Sequence, residues 1–420
     1  APVEEFSVEE TVKAAAGFDV LVIFTSTPGF RNDAKLLERF KAEYPGILTA
    51  MVGPHVTALP EETLRSCSAL DFVARNEFDY TIRDIARGMP PSEVEGISYR
   101  RAGRIIHNPD RAVIRDMDAL PSVLDVYKHD LHIEKYVIGY LLHPYLSVYT
   151  GRGCPGACTF CLWPQTIGGH SYRTRSVQSV LAEMARVREM FPEVREIFFD
   201  DDTFTADFRR AEDIAKGLKE LGITWSCSAR ANVPKSTLRI MKECGLRCLM
   251  VGIESGSDTV LKNIKKGITT AQIREFMKNC RDLKITTHAT FALGLPGETP
   301  ETIRQSIAFA KEIDPDTIQV SIASPYPGTE FYQQAVENQW LVQSDLVSRS
   351  GHQQVTIEYE DLSKEEIFDA LGTFYNKFYF RPRPILRIVG TMIRDRDICK
   401  RRLTEAREFF SFLQTRKNGL

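Results

Sequence analysis

Residues 151–161 read GRGCPGACTFC and place three cysteines, Cys154, Cys158 and Cys161, in one short loop. The loop follows the apolar stretch YLSVYT, which predicts a buried strand. Thiolates are soft ligands that suit iron–sulfur clusters. Three of them leave one iron of a four-iron cube without a protein ligand, and a bidentate amino acid could occupy that position. The spacing therefore predicts a [4Fe–4S] cluster with one open iron.

Two alternatives use the same three cysteines. A structural zinc site normally has four protein ligands, and His170 is a candidate for the fourth. Three buried thiols without a metal are the other alternative. Cys244 and Cys248, in CGLRC, invite a second cluster, but free cysteine is often simply buried. We predict burial for these two and for the other four cysteines, Cys67, Cys227, Cys280 and Cys399.

Strands and helices alternate from residue 145 to residue 340. Six segments predict strands of a parallel sheet: YLSVYT, EIFFDD, TWSCSAR, CLMVGIES, THATFALG and TIQVSIAS. Segments with helical spacing lie between them, for example VQSVLAEMARVREM and TIRQSIAFAKEI. This order predicts a partial (β/α)6 barrel, similar to part of a TIM barrel, with the cysteine loop after its first strand.

Three further regions flank the barrel. In residues 1–92 the strands DVLVIFTS, ILTAMVG and DFVAR alternate with helices, which indicates a doubly wound, Rossmann-like α/β domain. Residues 93–144 predict a hairpin followed by a connector that contains several prolines. Residues 341–420 predict a mostly helical C-terminal region that is basic and aromatic.

The composition excludes several classes of protein. The net charge of −2 gives no overall attraction to nucleic acid. No stretch approaches the roughly 18 apolar residues of a membrane-spanning helix, and the acidic start APVEEFSVEE is unlike a secretory signal. Nine cysteines, an odd number, do not suit a disulfide framework. We therefore expect a cytoplasmic protein that does not bind nucleic acid.

The spacing C-x3-C-x2-C after a first barrel strand, with Phe160 just before the last cysteine, resembles the radical S-adenosylmethionine (SAM) superfamily over about residues 145–335. The resemblance implies an enzyme whose [4Fe–4S] cluster cleaves SAM to methionine and a 5′-deoxyadenosyl radical. It implies that Phe160 packs near adenine and that a reductase, flavodoxin or ferredoxin supplies the electron. In the GLPGET turn, Gly294 and Pro296 could approach adenine or ribose, or serve only the turn. An iron–sulfur electron carrier or sensor is the alternative from another class.

Polar residues at later strand ends are candidates for binding SAM, because barrel enzymes place their chemistry there. Asp201 or Asp202, in FFDDDTF, could bind the methionine ammonium in place of the Gly-Gly-Glu that is common in the superfamily. A helix-capping aspartate run is the alternative. Arg230 could pair with the methionine carboxylate or form a surface ion pair. Glu254 resembles a fourth-strand SAM contact of the family, and a carboxylate there needs a partner.

The N-terminal domain resembles the cobalamin-binding domain fused to one large class of radical SAM enzymes. Ligands of open α/β sheets bind beyond the carboxyl ends of the strands, where six candidate residues lie: Thr25, Ser26, Gly53, His55, Thr57 and Asn76. No D-x-H-x-x-G signature is present, so we do not expect His55 to bind cobalt. A cobalamin-free domain is the alternative. Members usually open with one more strand–helix unit, so we expect a truncated start or a disordered unit.

The stretch CLWPQTIGGHSYRTRS, which starts at the third cysteine, resembles the hopanoid-biosynthesis branch that is implicated in forming the cyclitol ether of bacteriohopanetetrol. This resemblance implies contraction of an amino-sugar ring on a hopanoid, which is a lipid-linked sugar. The candidate catalytic residues are His170, Tyr172 and Arg173, beside Trp163 and Arg175, or all five only brace the loop. The alternatives are a cobalamin-dependent radical methyltransferase, with a small-molecule substrate, and a radical ring-forming cyclase.

Residues 374–402, FYNKFYFRPRPILRIVGTMIRDRDICKRR, combine aromatic, aliphatic and basic side chains. Such a composition suits a surface at the boundary between lipid and water. We predict peripheral contact with the inner face of the membrane, where a lipid-linked substrate would be reached. A helical layer packed against the barrel is the alternative. A further helix is predicted through RRLTEAREFFSFL.

Overall fold

The structure, a computed structural model, describes residues 6–343, 345–348 and 353–394. Two sheets organise these residues: a five-stranded sheet in the N-terminal part and a six-stranded sheet that carries the cysteine loop. A two-stranded ribbon lies within the segment that contains the cysteines.

The N-terminal sheet contains three parallel strands and one antiparallel hairpin. Its strands, in spatial and chain order, are β1 (Val20–Phe24), β2 (Leu48–Val52), β3 (Phe72–Ala74), β4 (Ile97–Arg101) and β5 (Arg104–His107). The hairpin is confirmed, and it extends this sheet through the pairing of β4 with β3. A doubly wound sheet reverses its strand order at one point. The described strands show no such reversal, so that part of the prediction is not met.

One helix, α1 (Val8–Lys13), precedes β1, and the other helices of this domain follow the parallel strands, as predicted. They are α2 (Phe30–Glu43), α3 (Pro54–Ala58), α4 (Pro60–Ser66) and α5 (Asp79–Ala86). A capping box at Ser7 and Glu10 starts α1. Leu37 of α2 and Leu64 of α4 are fully buried against Met51 of β2, which gives this domain an apolar core of its own.

The connector before the barrel, which includes α6 (Leu124–Asp130), closes the amino-terminal end of the barrel interior. Tyr140 stacks on His288 with ring centroids 4.1 Å apart and donates its hydroxyl hydrogen to Met250 Sδ at 3.2 Å. The backbone N–H of Leu142 donates to Glu196 Oε2 at 2.6 Å. The connector therefore links the two domains and also fills the amino-terminal end of the barrel interior.

The six predicted barrel strands are all present and parallel. They are β6 (Tyr145–Val148), β9 (Glu196–Phe199), β10 (Trp225–Ala229), β11 (Leu246–Glu254), β12 (Thr286–Leu293) and β13 (Thr317–Ile322), and their spatial order follows the chain. The ribbon strands β7 (Gly151–Arg152) and β8 (Arg173–Thr174) bracket the cysteines. The sheet is an open half-barrel, as expected for a partial (β/α)6 unit.

Seven helices of this region flank the half-barrel: α7 (Val177–Met190), α8 (Phe208–Glu220), α9 (Lys235–Glu243), α10 (Asp258–Asn263), α11 (Thr270–Asp282), α12 (Pro300–Ile313) and α13 (Glu330–Glu337). Alternate strand residues face these helices or the interior. Val148 and Phe199 pack in the large core under the helices. Tyr145 and Phe198 pack in a separate interior cluster. This alternation decides which strand-end side chains reach the inside of the barrel.

The C-terminal region covers the free edge of β13 with α14 (Lys364–Tyr379). The Tyr375 hydroxyl accepts from the backbone N–H of Val320 at 2.9 Å, and the Tyr379 hydroxyl accepts from that of Ile318 at 3.0 Å. A packed helical layer, the alternative stated above, is therefore present for α14.

The next helix, α15 (Pro382–Arg394), leaves apolar side chains in solvent. Leu386 is 70% exposed and Ile393 is 80% exposed. Among the described residues, no helix combines the length and the apolar character that a membrane-spanning segment needs. The helix predicted at 401–413 and Cys399 lie outside the described residues.

Candidate functional site

The cysteine loop lies between β6 and α7, at the carboxyl ends of the barrel strands. Gln165 holds its shape, because Nε2 donates to the carbonyls of Cys158 at 3.3 Å and Cys161 at 2.7 Å. The backbone N–H of Gly156 donates to Cys154 Sγ at 3.4 Å. Burial, with the charges of the other two thiolates, raises the pKa of Cys161 to about 12. Three thiolates at this spacing need positive charge between them, which iron ions supply.

The geometry does not favour a single zinc ion. Within the described part of the chain, no three histidine, cysteine, aspartate or glutamate side chains converge on one metal position. His170, the predicted fourth ligand, is exposed, and its Nδ1 lies 3.0 Å from the carbonyl oxygen of Gly156. A cluster differs from a zinc site because each thiolate binds a different iron. The loop therefore fits a cluster better than one ion.

Arg230, at the end of β10, lies directly against the cysteine loop. A β-carbon at Gly156 would stand 2.6 Å from Arg230 Nη1 and 3.3 Å from Cys154 Sγ, so only glycine leaves this space open. Arg230 also donates to the carbonyl oxygen of Lys266. Its guanidinium is therefore close enough to the cysteines to meet a ligand of the open iron.

Glu254, at the end of β11, forms a buried ion pair that the sequence did not reveal. Its Oε1 lies 2.8 Å from Lys266 Nζ, and the two side chains are 11% and 8% exposed. Glu254 has a φ of +67°, and the pairing of β11 with β12 shifts between Gly252 and Glu254. A positive φ at a residue other than glycine costs free energy and is often found at functional sites.

Lys266 links this pair to the cysteines. Burial lowers its pKa, whereas the carboxylate of Glu254 and the Cys158 thiolate raise it, and the net change is upward. The buried ammonium therefore stays charged between a carboxylate and a cluster ligand. The signal available in the sequence was that a buried Glu254 requires a cationic partner. The sequence did not show that this partner is Lys266.

The aspartate run does not act as one unit. Asp201 is 1% exposed and accepts at 2.6 Å from the backbone N–H of Thr150, from the Thr150 hydroxyl and from the Tyr172 hydroxyl. Burial raises the pKa of Asp201. The carboxylate is thus fully engaged below the cysteine loop. These contacts do not support the predicted SAM role of Asp201 or the predicted catalytic role of Tyr172. Both side chains instead stabilise the loop.

Asp202 and Asp200 point to different places. Asp202 accepts from the backbone N–H of Gly153 at 2.8 Å, next to the first cysteine, so of the two predicted aspartates it remains the candidate near SAM. Asp200, which was not predicted, lies beside Ser147 and Tyr149. The alternation of β9 would have identified it, because Phe198, two residues earlier, faces the interior.

The GLPGET turn has mainly internal partners. Gly294 has a φ of +84°, donates its N–H to Glu298, and accepts from the Tyr359 hydroxyl at 2.9 Å. The carbonyl oxygen of Pro296 accepts from the Asn263 side chain at 3.1 Å. These contacts favour the turn alternative for both residues. Phe160 is partly buried and packs against the large barrel core.

The six residues predicted around cobalamin lie together at the carboxyl edge of the N-terminal sheet. Gly53 has a φ of +113°, and a β-carbon there would stand 2.5 Å from the carbonyl oxygen of Thr25. The Thr57 hydroxyl donates to the carbonyl oxygen of Gly53 at 3.1 Å and accepts from the backbone N–H of Asn76 at 2.9 Å. Ser26 begins the turn into α2, since its carbonyl oxygen accepts from the N–H of Phe30 at 2.9 Å.

His55 is buried in this edge. It stacks on Phe30 with ring centroids 4.5 Å apart, and its Nδ1 lies 3.2 Å from the Thr27 hydroxyl. Burial lowers the pKa of His55 to about 4, so the ring is neutral near pH 7. Its other ring nitrogen, Nε2, is buried without a hydrogen-bond partner among the described residues, so the expectation that His55 does not bind cobalt stays a prediction.

The N-terminal strand edge faces the cysteine-bearing edge of the barrel. Phe24, the last residue of β1, stacks on Trp163 with centroids 6.0 Å apart. Arg173 pairs with Glu77 at 2.7 Å, and Arg152 pairs with Asp79 at 2.7 Å. The Glu77 side chain is only 2% exposed. Arg173, predicted to be catalytic, therefore joins the two domains, because its guanidinium is used at the interface.

Cavities are also found outside the barrel interior. One of about 630 Å³ separates the N-terminal strand-end loops from the segment after β13, and its walls include Thr27, His55, Pro325 and Tyr332. Another of about 300 Å³ lies at the opposite, amino-terminal strand edge, far from the cysteines. The five other cysteines among the described residues, Cys67, Cys227, Cys244, Cys248 and Cys280, are free thiols and are buried, as predicted.

A parallel half-barrel with a three-cysteine loop after its first strand defines a radical SAM enzyme. Residues 148–310 match the family model of the radical SAM superfamily. An uncharacterised methyltransferase of Pyrococcus horikoshii is 31% identical over 394 residues, which cover 91% of this chain and 84% of that protein. The chain belongs to the radical SAM superfamily. Family membership brings the [4Fe–4S] cluster and SAM as cofactors and confirms the predicted enzyme class.

Two other proteins refine this placement. Cytidylyl-2-hydroxyethylphosphonate methyltransferase of Streptomyces wedmorensis is 27% identical over 377 residues, covering 80% of this chain and 70% of that protein. The structure of TsrM, a radical SAM methyltransferase of Kitasatospora setae with cobalamin and a [4Fe–4S] cluster bound, superposes with a TM-score of 0.68 at 13% identity, over 90% of this chain and 82% of that chain. At this identity the likeness concerns the fold.

The hopanoid branch has weaker support. Hopanoid C-3 methylase of Methylococcus capsulatus is 29% identical over 205 residues, which cover 47% of this chain and 37% of that protein. That protein is named as a methylase, and ring contraction of an amino sugar has no counterpart among the relatives reported above. Methyl transfer, which was the alternative, fits these relatives better.

Proposed function

We propose that this protein is a cobalamin-dependent radical SAM methyltransferase that acts on a small molecule. The observation that carries the proposal is the meeting of two strand edges. The N-terminal sheet presents its ligand-binding edge to the barrel edge that holds the cysteine loop, across the contact of Phe24 with Trp163. A cofactor bound to one edge would thus adjoin a cofactor bound to the other.

The residues of each edge suit one cofactor. Cys154, Cys158 and Cys161 would hold the cluster, and Arg230 and Glu254 would meet the methionine part of SAM. At the N-terminal edge the glycine at 53 keeps the backbone open above β2, and the neutral side chains around it suit a large uncharged ring system. Cobalamin, when bound, carries a methyl group from SAM towards the substrate.

The names of the relatives support methyl transfer, and the ring contraction on a hopanoid remains the less supported proposal. A flavodoxin, ferredoxin or reductase as electron donor stays a prediction, and so does contact with the inner face of a membrane. Both predictions concern partners that contact the outside of the protein. Neither changes which residues bind the cofactors.

The proposal is tested with two glycine variants of the N-terminal domain. Gly53→Ala places a β-carbon 2.5 Å from the Thr25 carbonyl oxygen, whereas Gly88→Ala places one in open space, although φ is positive at both positions. We expect reconstituted wild type and Gly88→Ala to retain cobalamin, seen by absorbance, and to form S-adenosylhomocysteine from SAM. We expect Gly53→Ala to lose both while its iron content stays unchanged. A wild-type protein that includes the expected opening strand–helix unit, and that cleaves SAM but retains no cobalamin and forms no S-adenosylhomocysteine, would refute the proposal.

A further inference from the structure

One carboxylate of the barrel interior has no assigned task. Asp200 follows β9 directly and is half-buried. Its Oδ2 accepts from the Ser147 hydroxyl at 3.3 Å and from the Tyr149 hydroxyl at 3.4 Å. Both distances are long for O–H···O bonds, whose usual range is about 2.5–3.0 Å. The carboxylate therefore has weak neutral partners and room to accept a stronger donor.

Asp200 also has no counter-charge. None of the ion pairs between described residues includes it, unlike Glu254 at the end of β11. Burial raises the pKa of Asp200 to about 6, and the charges of Asp201 and Asp202 add to the effect. An ionised carboxylate that is partly removed from water costs free energy unless a cation compensates it. At neutral pH the ionised Asp200 therefore destabilises the folded protein. Carboxylates with such a raised pKa are common at functional sites.

The cations around the strand ends are already engaged. Arg210 donates to the carbonyl oxygen of Thr150 at 2.9 Å, and Arg152 and Arg173 pair with acids of the N-terminal domain. Lys266 pairs with Glu254, and the backbone carbonyl oxygen of Lys266 accepts from Arg230. These cations have other partners and do not compensate Asp200, so a cationic ligand would supply the positive charge that the site lacks.

The surroundings of Asp200 suit a small ligand. Tyr149 is 53% exposed, so the approach from the carboxyl edge is open. The aromatic connector residue Tyr140 fills the interior further down, which limits how deep a ligand can enter. A ligand that enters from the cluster side would thus meet a phenol hydroxyl, a serine hydroxyl and the carboxylate together.

We propose that Asp200, with Tyr149 beside it, binds a cationic nitrogen of the substrate, so that the substrates of this enzyme are small molecules with a protonated amine. The assignment rests on the proposed function, because it requires a substrate to enter the barrel next to SAM. Asp200 acts here as a residue that determines specificity. The ammonium would replace the weak hydroxyl donors and form a charge-assisted hydrogen bond.

The experiment uses the full chain with its cluster and two matched pairs of probes: glucosamine with N-acetylglucosamine, and tyramine with N-acetyltyramine. Acetylation removes the charge and keeps most of the shape. Calorimetric titration in the presence of SAM is expected to show that wild type prefers at least one amine over its acetylated twin by about tenfold or more. Asp200→Asn is expected to bind the two twins equally. Asp213→Asn, at an exposed aspartate of α8, is expected to keep the wild-type preference.

Three results would overturn the assignment. One is wild type that shows no preference for an amine in either pair, including the case in which no probe binds. Another is Asp200→Asn that keeps the preference. The third is Asp200→Asn that weakens SAM binding itself, which would make the carboxylate a cofactor contact. Cobalamin retention is measured on the same preparations, so a failure of the proposed methyl transfer is seen separately from a failure at Asp200.

Discussion

Replacing Glu254 by glutamine removes one charge of the buried pair with Lys266. The two charged atoms lie 2.8 Å apart, and the side chains are 8% and 11% exposed, so water cannot compensate the lysine that is left. Loss of one partner of a buried ion pair typically costs roughly 3–5 kcal/mol. We therefore expect Glu254→Gln to lower the free energy of unfolding by roughly that amount. Urea denaturation followed by tryptophan fluorescence, to which the fully buried Trp225 contributes, measures it.

An exposed pair next to it provides a matched control. Lys265 and Glu330 lie 2.7 Å apart, but their side chains are 53% and 34% exposed. Glu330→Gln is expected to change stability by less than about 1 kcal/mol. Glu254→Gln is also expected to weaken SAM binding by about tenfold or more, since a hydrogen bond to a charged group contributes roughly 1.5–3 kcal/mol, with an unchanged cluster spectrum. Equal stability losses in the two variants, or unchanged SAM affinity, would show that the buried pair does not have the role described.

Cys158→Ala is expected to remove nearly all iron and sulfide from reconstituted protein, by chemical analysis, and to abolish 5′-deoxyadenosine formation; cleavage of SAM at the native rate would contradict the cluster assignment. Arg173→Ala is expected to lower the free energy of unfolding by roughly 3–5 kcal/mol, since its buried glutamate partner loses its nearest cation; normal stability with a changed substrate KM would restore a substrate role. The pKa of Asp200 is about 6 in the folded protein, which is above its ordinary value of 3.8. Protonated Asp200 therefore favours the folded state, and this contribution to stability is lost as the pH rises through about 6. Asp200→Asn should therefore melt at a higher temperature than wild type at pH 8, with a smaller advantage at pH 5.5, and calorimetry that shows the reverse order would exclude an uncompensated carboxylate. Leu386→Ser combined with Ile393→Ser is expected to reduce co-sedimentation with anionic liposomes, whose binding to wild type should fall at high salt; wild type that stays in the supernatant at low and high salt ends the idea of membrane contact.

The strands of the barrel could be predicted because each is an apolar run of four to nine residues between polar turns. The segment predicted as CLMVGIES corresponds to β11, which ends at Glu254 as expected. The hairpin at 97–107 was also predictable, since its signals are local. Its attachment to β3 was not, because that pairing depends on register across about 24 residues of intervening chain.

The candidate site was predictable where one motif contains the chemistry and obscure where partners are distant in the chain. The three cysteines lie in one loop, so their spacing was sufficient. Tyr172 was assigned to catalysis, because its partner Asp201 is 29 positions away and could not be recognised from the sequence. Arg173 was assigned to catalysis, although its partner Glu77 is 96 positions away. The first pairing depends on how the cysteine segment packs on the barrel, the second depends on how two domains meet, and no local pattern encodes either.

Attention to strand alternation would have improved one assignment. In FFDDDTF the motif drew attention to the second and third aspartates, whereas a period of two from Phe198, in the barrel interior, places Asp200 as well as Asp202 on the inward face. A period of two is a weak signal within three identical residues, because all of them are polar. The structure resolves the ambiguity by giving each aspartate a different set of donors.

The hydroxyls of Tyr375 and Tyr379 in α14 prevent the half-barrel sheet from adding another strand at its β13 edge. Each occupies a backbone amide of β13 that a seventh strand would otherwise use, at Ile318 and at Val320. Unpaired edges of this kind are templates for aggregation. The half-barrel can therefore stay open on one side for a substrate without recruiting a strand from another copy of the protein. Loss of α14 by proteolysis would turn the same opening into a polymerisation site.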